Sequence, residues 1–148
     1  MRDDLIVSSS IEINTEPSKI WEALINPEII KEYLFGTKTI TDWKIGSGII
    51  FQGEYQGQKY QDKGIIKEFK LNKKISYSYW SGFTGLDDKP ENYSLITYDL
   101  EIIKDKKTKL TWTQKGFANE RGYEHSKNGL KDLLAKIKAI AERENIIG

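Results

Sequence analysis

The segment "ERGYEHSKNGLKDLLAKIKAIAEREN", residues 120–145, constrains the fold more than any other part of the chain. Leu130, Leu133, Leu134, Ile137, Ile140 and Ala141 recur at three- and four-residue spacing, so they form one apolar stripe along a long helix. That stripe has to be covered. The segments before it read as strands: "LIVSSSIEIN", "TKTITDW", "IIFQGEY", "YQDKGIIKEF", "ISYSYW", "YSLITYDLEII" and "TKLTWTQKG". Short turns such as "KIGSG", "QGQK", "NKK" and "KDKK" join most of them, which predicts hairpins and an antiparallel sheet with one buried face. Only the C-terminal helix is long enough to cover that face.

Between the first two strands lies "INTEPSKIWEALINPEIIKEYLF". Asn14 or Thr15 is placed to cap a first helix, with Pro17 in its opening turn. Ile20, Trp21, Leu24 and Ile25 make its apolar stripe, and Trp21 is expected in the core. Pro27 disfavours helical geometry at Asn26 and suits the start of a second helix carrying Ile29, Ile30, Tyr33 and Leu34. Each helix is too short to stand alone. The reading is therefore a V of two short helices closing one end of the sheet. The expected class is α+β: about six to seven antiparallel strands wrapped round a long C-terminal helix, in a single domain spanning residues 1–148.

The chain has no cysteine and one histidine, which excludes disulfides, thiolate chemistry and a Cys/His zinc site. His125 has no Ser, Cys or Asp partner in a motif and reads as a surface residue. Lys and Arg number 23 against 22 Asp and Glu, so no concentrated basic face for nucleic acid is expected. "MRDDLIVSSS" holds no apolar run of signal-peptide length, no run approaches a membrane span, and the expected location is cytoplasmic. "GSG" at 46–48 lacks the helix and Lys-Ser/Thr of a phosphate loop. No nucleophile motif, metal spacing or cofactor signature stands out.

Five stretches carry a family resemblance. "EPSKIWEALINPEIIKEY" resembles the opening "s-p-e-x-V-w-x-a-l-T-x-p-e-x-x-x-x-W" of domains similar to the C-terminal domain of the activator of the heat-shock protein 90 ATPase. "DWKIGSGIIFQGEY" resembles that family's "d-x-r-v-G-g-x-f", and "YQDKGIIKEFKLNKKISYSYW" its "G-x-v-x-e-x-x-p-x-x-r-l-x-y-t-W". "TKLTWTQKGF" and "NGLKDLLAKIKAIAE" are similar to "T-x-l-t-l-x-h-x-g" and "G-W-x-x-x-L-x-x-L-x-x-x-l-e". The order of the pieces is the specific signal. The chain departs from the pattern at Leu130, Tyr33 and "KLNKK", where the family often has Trp, Trp and a Pro-containing turn. The resemblance implies the helix-grip fold of the START and pollen-allergen (SRPBCC) superfamily, with a cavity between sheet and helix.

The inward-facing candidates for lining that cavity are Tyr33, Trp43, Phe51, Ile66, Tyr77, Tyr79, Tyr98, Trp112, Gln114 and Tyr123. The plain alternative for each aromatic is core filling. Gln114 shares its register with Leu110 and Trp112, and a buried amide needs a partner, a water or a ligand. Glu68 shares a face with Ile66 by alternation, which makes it a candidate polar anchor for a ligand or an acid of raised pKa. The alternative is that the strand bulges and Glu68 is solvated. Gly129, inside the long helix, suggests either close backbone approach over the cavity or a helix start capped by Asn128. Tyr33 and the loop at 82–92 are expected to frame the cavity mouth.

Three functions follow, in order. The first is binding of a small hydrophobic or amphipathic molecule, which requires a cavity of roughly a few hundred cubic ångströms. The second is a co-chaperone-like interaction with another protein, which goes with a collapsed cavity and an exposed patch. A cyclase or hydrolase ranks last. The sequence leaves monomer or homodimer open.

Overall fold

The computed structural model describes residues 1–143. Its elements run β1 (Arg2–Ile13), α1 (Pro17–Ile25), α2 (Pro27–Tyr33), β2 (Lys38–Ile40), β3 (Gly48–Tyr55), β4 (Gln58–Lys70), β5 (Lys74–Tyr79), β6 (Ser94–Lys104), β7 (Lys107–Phe117) and α3 (Glu120–Ala141). The seven strands form one antiparallel sheet in the order β1-β7-β6-β5-β4-β3-β2. This is the expected helix-grip architecture. The β3–β4 hairpin turns through Gln56 and Gly57, both at positive φ (50° and 79°), as a two-residue turn matched to strand twist requires.

The inner face of the sheet carries Ile49, Ile66, Ile75, Tyr77, Ile96, Tyr98, Leu110 and Trp112, all buried. Against it α3 places Leu130, Leu134, Ile137 and Ala141, each at most 3% exposed. Leu133 and Ile140 flank that stripe and are partly buried. The helix starts at Asn119, whose Oδ1 accepts the Gly122 N–H at 3.0 Å, and runs unbroken through Gly129. Neither expectation for Gly129 holds. The residue is exposed, and a methyl built there would meet nothing within 4 Å. The expected helical residues Glu144 and Asn145 lie outside the described chain.

Asn26 serves both short helices. Its N–H donates to the Glu22 carbonyl at 2.9 Å, ending α1, and its Oδ1 accepts the Glu28 N–H at 3.0 Å, starting α2. The α1 cap differs from expectation: Glu16 occupies it without a side-chain bond to the helix, one residue beyond Thr15. The Arg143 guanidinium grips Glu32 of α2 through two bonds of 2.8 and 3.2 Å. Lys138 Nζ donates to the Glu12 carbonyl of β1 at 2.9 Å. The long helix is thus tied at its C-terminal end to both neighbours.

Two local departures shift the inner face. The strand expected over 37–43 is shorter, Lys38–Ile40, because Asp42 turns the chain by accepting the Lys44 N–H (3.1 Å) and Trp43 takes φ +60°. In β4 the register pairs Ile66 with Tyr77, Glu68 with Ser76 and Phe69 with Ile75. Two residues, Lys67 and Glu68, therefore oppose one, which is a β-bulge. It turns Glu68 outward and Phe69 inward, against the expected alternation. The Phe69 ring then packs on Trp21 (centroids 5.2 Å) and Trp43 (6.0 Å).

Candidate functional site

The cavity is expected between the sheet and the long helix; the small enclosed space found on the inner face lies beside that place, between the sheet and the two short helices. Tyr33, Trp43, Phe51, Tyr77 and Tyr98 do converge there, with Ile49 and Ile75 beneath them. The space they enclose is ≈ 10 Å³. That is room for about one water molecule. The aromatic side chains of this wall pack on one another: Phe51 lies tilted on Tyr77 at 5.6 Å and edge-on to Tyr79 at 5.9 Å. Ile66 is wholly buried in the core beside them, and Trp112 is nearly so.

The phenols are used internally. The buried Tyr33 hydroxyl donates to the Ala23 carbonyl at 2.8 Å, bracing the V of α1 and α2. It does not stand at a mouth, contrary to expectation. Burial pushes the Tyr98 phenol up to about 12 and those of Tyr33 and Tyr77 well above the ordinary tyrosine value. All three are neutral at physiological pH and none is a ready base.

Gln114 points inward as expected, and the protein satisfies it. Its Nε2 donates to Ser94 Oγ at 3.3 Å and its Oε1 accepts from Ser126 Oγ of α3 at 3.4 Å. Tyr123 stands at the rim, edge-on to Phe117 at 5.7 Å, with the Lys127 ammonium 5.8 Å from its ring centre. Of the two readings of Glu68, the bulge is the one found, and the inward anchor is not. Turned outward by the bulge, its half-exposed side chain sets Oε2, itself buried and without a hydrogen bond, 3.4 Å from Lys74 Nζ.

The inner-face acid is instead Asp62, 7% exposed, on β4 two positions before Gly64 and four before Ile66. Its Oδ2 accepts the Tyr79 hydroxyl, while its Oδ1 is buried with no partner. Burial first, and then the Asp62 charge, raise the Tyr79 phenol well above its usual value. Thr39 faces inward in the same cross-strand row (Thr39–Phe51–Asp62), and its Oγ1 is also buried and unpartnered. Sequence reading passed over Asp62, although alternation back from Ile66 marks it as inward. Among the described residues no group of three or more His, Asp or Glu side chains is placed to hold a metal.

Comparison with known proteins extends this picture. The solution structure of ChR145 from Cytophaga hutchinsonii is 41% identical, superposes with a TM-score of 0.81, and the match covers 96% of this chain and 97% of that one. An HSP90 activator from Plasmodium falciparum is 20% identical (TM-score 0.72; 92% and 95% covered). The Aha1 dimer from Colwellia psychrerythraea is 17% identical (TM-score 0.71; 93% and 96% covered). No curated protein matches the chain. The family described as Activator of Hsp90 ATPase homolog 1-like protein matches residues 14–142. This chain, with its seven-stranded sheet gripping one long helix, belongs to that family and to the helix-grip superfamily around it.

Proposed function

We propose that this domain works through its surface, binding a protein partner of the Hsp90 ATPase class, and does not carry a small molecule in its interior. The observation that supports this reading is the tightly filled space between the sheet and the two short helices. About 10 Å³ remains where a small-molecule site has roughly 300–1,000 Å³. The family's description and the name of the Plasmodium falciparum relative point to the same class of partner. The test is steady-state ATP turnover by an Hsp90-class chaperone from the same organism, with and without the purified domain. A saturable change in turnover, matched by calorimetric binding, is the expected result. Unchanged turnover together with no measurable heat of binding would refute it.

One observation favours the carrier reading: the unpartnered Oδ1 of Asp62 beside the inner face. A buried acceptor left unpaired costs about 1–3 kcal/mol, and a ligand donor would recover it. On that reading a molecule co-purifies with the protein, and Asp62→Asn releases it while the fold is kept. Purification of ligand-free protein, or equal retention by Asp62→Asn, would dismiss it.

A further inference from the structure

The outer face of the sheet, away from the helices, is mostly a ladder of hydroxyls. Ser8 pairs with Thr113 at 3.0 Å, Ser10 with Thr111 at 2.8 Å, and Ser76 with Thr97 at 3.3 Å. One end of this face breaks the pattern. There the register sets Ser78 beside Leu95 and Leu95 beside Lys115, and the Ile65 N–H donates to Ser78 Oγ at 3.0 Å. The small Ser78 between two aliphatic side chains leaves a dip, with Ile65 43% and Leu95 40% exposed.

The dip belongs to an open groove of about 570 Å³, against the ≈ 10 Å³ between the sheet and the short helices. Its far wall is the turn carrying Asp88, Pro90 and Tyr93. That wall is held in place: Tyr93 donates to Asp88, Lys63 pairs with the same carboxylate, and Asn92 Nδ2 donates to the Asp87 carbonyl at 2.9 Å. The Asp88 charge is thereby used up. Lys67 and Lys115 line the groove, and neither lies in an ion pair among the described residues. Against them stands one further lining carboxylate, Asp3, so the groove is apolar with a net positive rim.

We infer that this groove docks an extended segment of the partner protein in which an aliphatic side chain sits next to acidic ones. The aliphatic group fills the dip over Ser78, and the acids meet Lys67 and Lys115. Apolar anchoring there supplies contact, and the lysines select charge. The inference rests on the reading that the partner is a protein.

The test uses the whole domain and a short capped probe, acetyl-Gly-Asp-Leu-Asp-Gly-amide, followed by amide NMR. The expected result is fast-exchange shifts at Ile65, Ser78, Leu95 and Lys115. Affinity should fall about tenfold or more in the Lys67→Glu/Lys115→Glu double variant, and severalfold in Leu95→Ser. All three substitutions are on the surface, so the unchanged spectrum of the core certifies the fold. Absence of shifts in this row, shifts elsewhere, or equal binding of the same peptide with Lys in place of Asp would overturn the inference. Chaperone turnover is read separately. Stimulation with an unmoved row sinks the groove alone; a moved row without stimulation sinks the partner class alone.

Discussion

Ile75 lies 1% exposed in the wall of the filled inner face, which makes it a gauge of that filling. Replacing it by Ala removes three carbons, a loss of about 2.4 kcal/mol at ~0.8 kcal/mol each. If the neighbours Phe51, Tyr77 and Tyr98 are locked against one another, they do not collapse into the gap. A hole of about 60 Å³ then adds about 1.4 kcal/mol at ~24 cal/mol per Å³. The expected total is about 4 kcal/mol, or a fall in Tm of about 8–16 °C for a chain of this size. The assay is urea unfolding followed by tryptophan fluorescence, with the m-value required to match the wild type. A loss below about 2 kcal/mol would refute the reasoning, because only a wall with slack already behind it is thinned so cheaply.

Other expectations follow from single contacts. A methyl at Gly64 would stand 1.6 Å from the Ser78 carbonyl oxygen, so Gly64→Ala must part β4 from β5. It should cost more than the ~1–3 kcal/mol of ordinary overpacking, and a urea midpoint near wild type would contradict this. Asn119→Ala should lose about 1 kcal/mol with its cap bond, while Glu16→Ala, which has none, should lose close to nothing in the same unfolding assay. Glu68→Gln removes a pair between two side chains that are each a third or more exposed and should cost less than about 1 kcal/mol in the same assay; a larger loss would mean that the buried Oε2 is held more strongly than this outward geometry implies. Tyr98 links stability to alkaline pH. Its folded pKa is raised to about 12 from 10.0, so its contribution is intact below pH 10 and declines as pH rises toward 12. The slope for this one group is about 1.4 kcal/mol per pH unit, and Tyr98→Phe should flatten it in pH-dependent melts.

Much of this was legible because period and order survive in a single sequence. The stripe from Leu130 to Ala141 and the strand alternations set the helix, the sheet and their facing sides. Tyr33, Phe51, Tyr77 and Tyr98 were placed on the inner side for the same reason. What alternation does not carry is the space between those sides. That depends on how Phe51 tilts on Tyr77 and how Phe69 enters beside Trp21, which are three-dimensional facts. Simple alternation puts Glu68 on the face of Ile66, and the bulge that was its stated alternative reverses this, since one inserted residue at Lys67–Glu68 swaps the faces beyond it. Glu16 replaced Asn14 or Thr15 as the α1 cap because capping sites shift by a residue when no side-chain bond pins them. Asp62 shows the reverse case: the register to Ile66 was readable, but an acid in a strand between Gln and Lys reads as solvated until its burial is known.

Native mass spectrometry of the purified domain, before and after organic extraction, tests the central claim most directly. The closed interior predicts the bare protein mass in both spectra. A discrete, stoichiometric mass lost on extraction would contradict it, and would show that the inner face opens to hold a ligand.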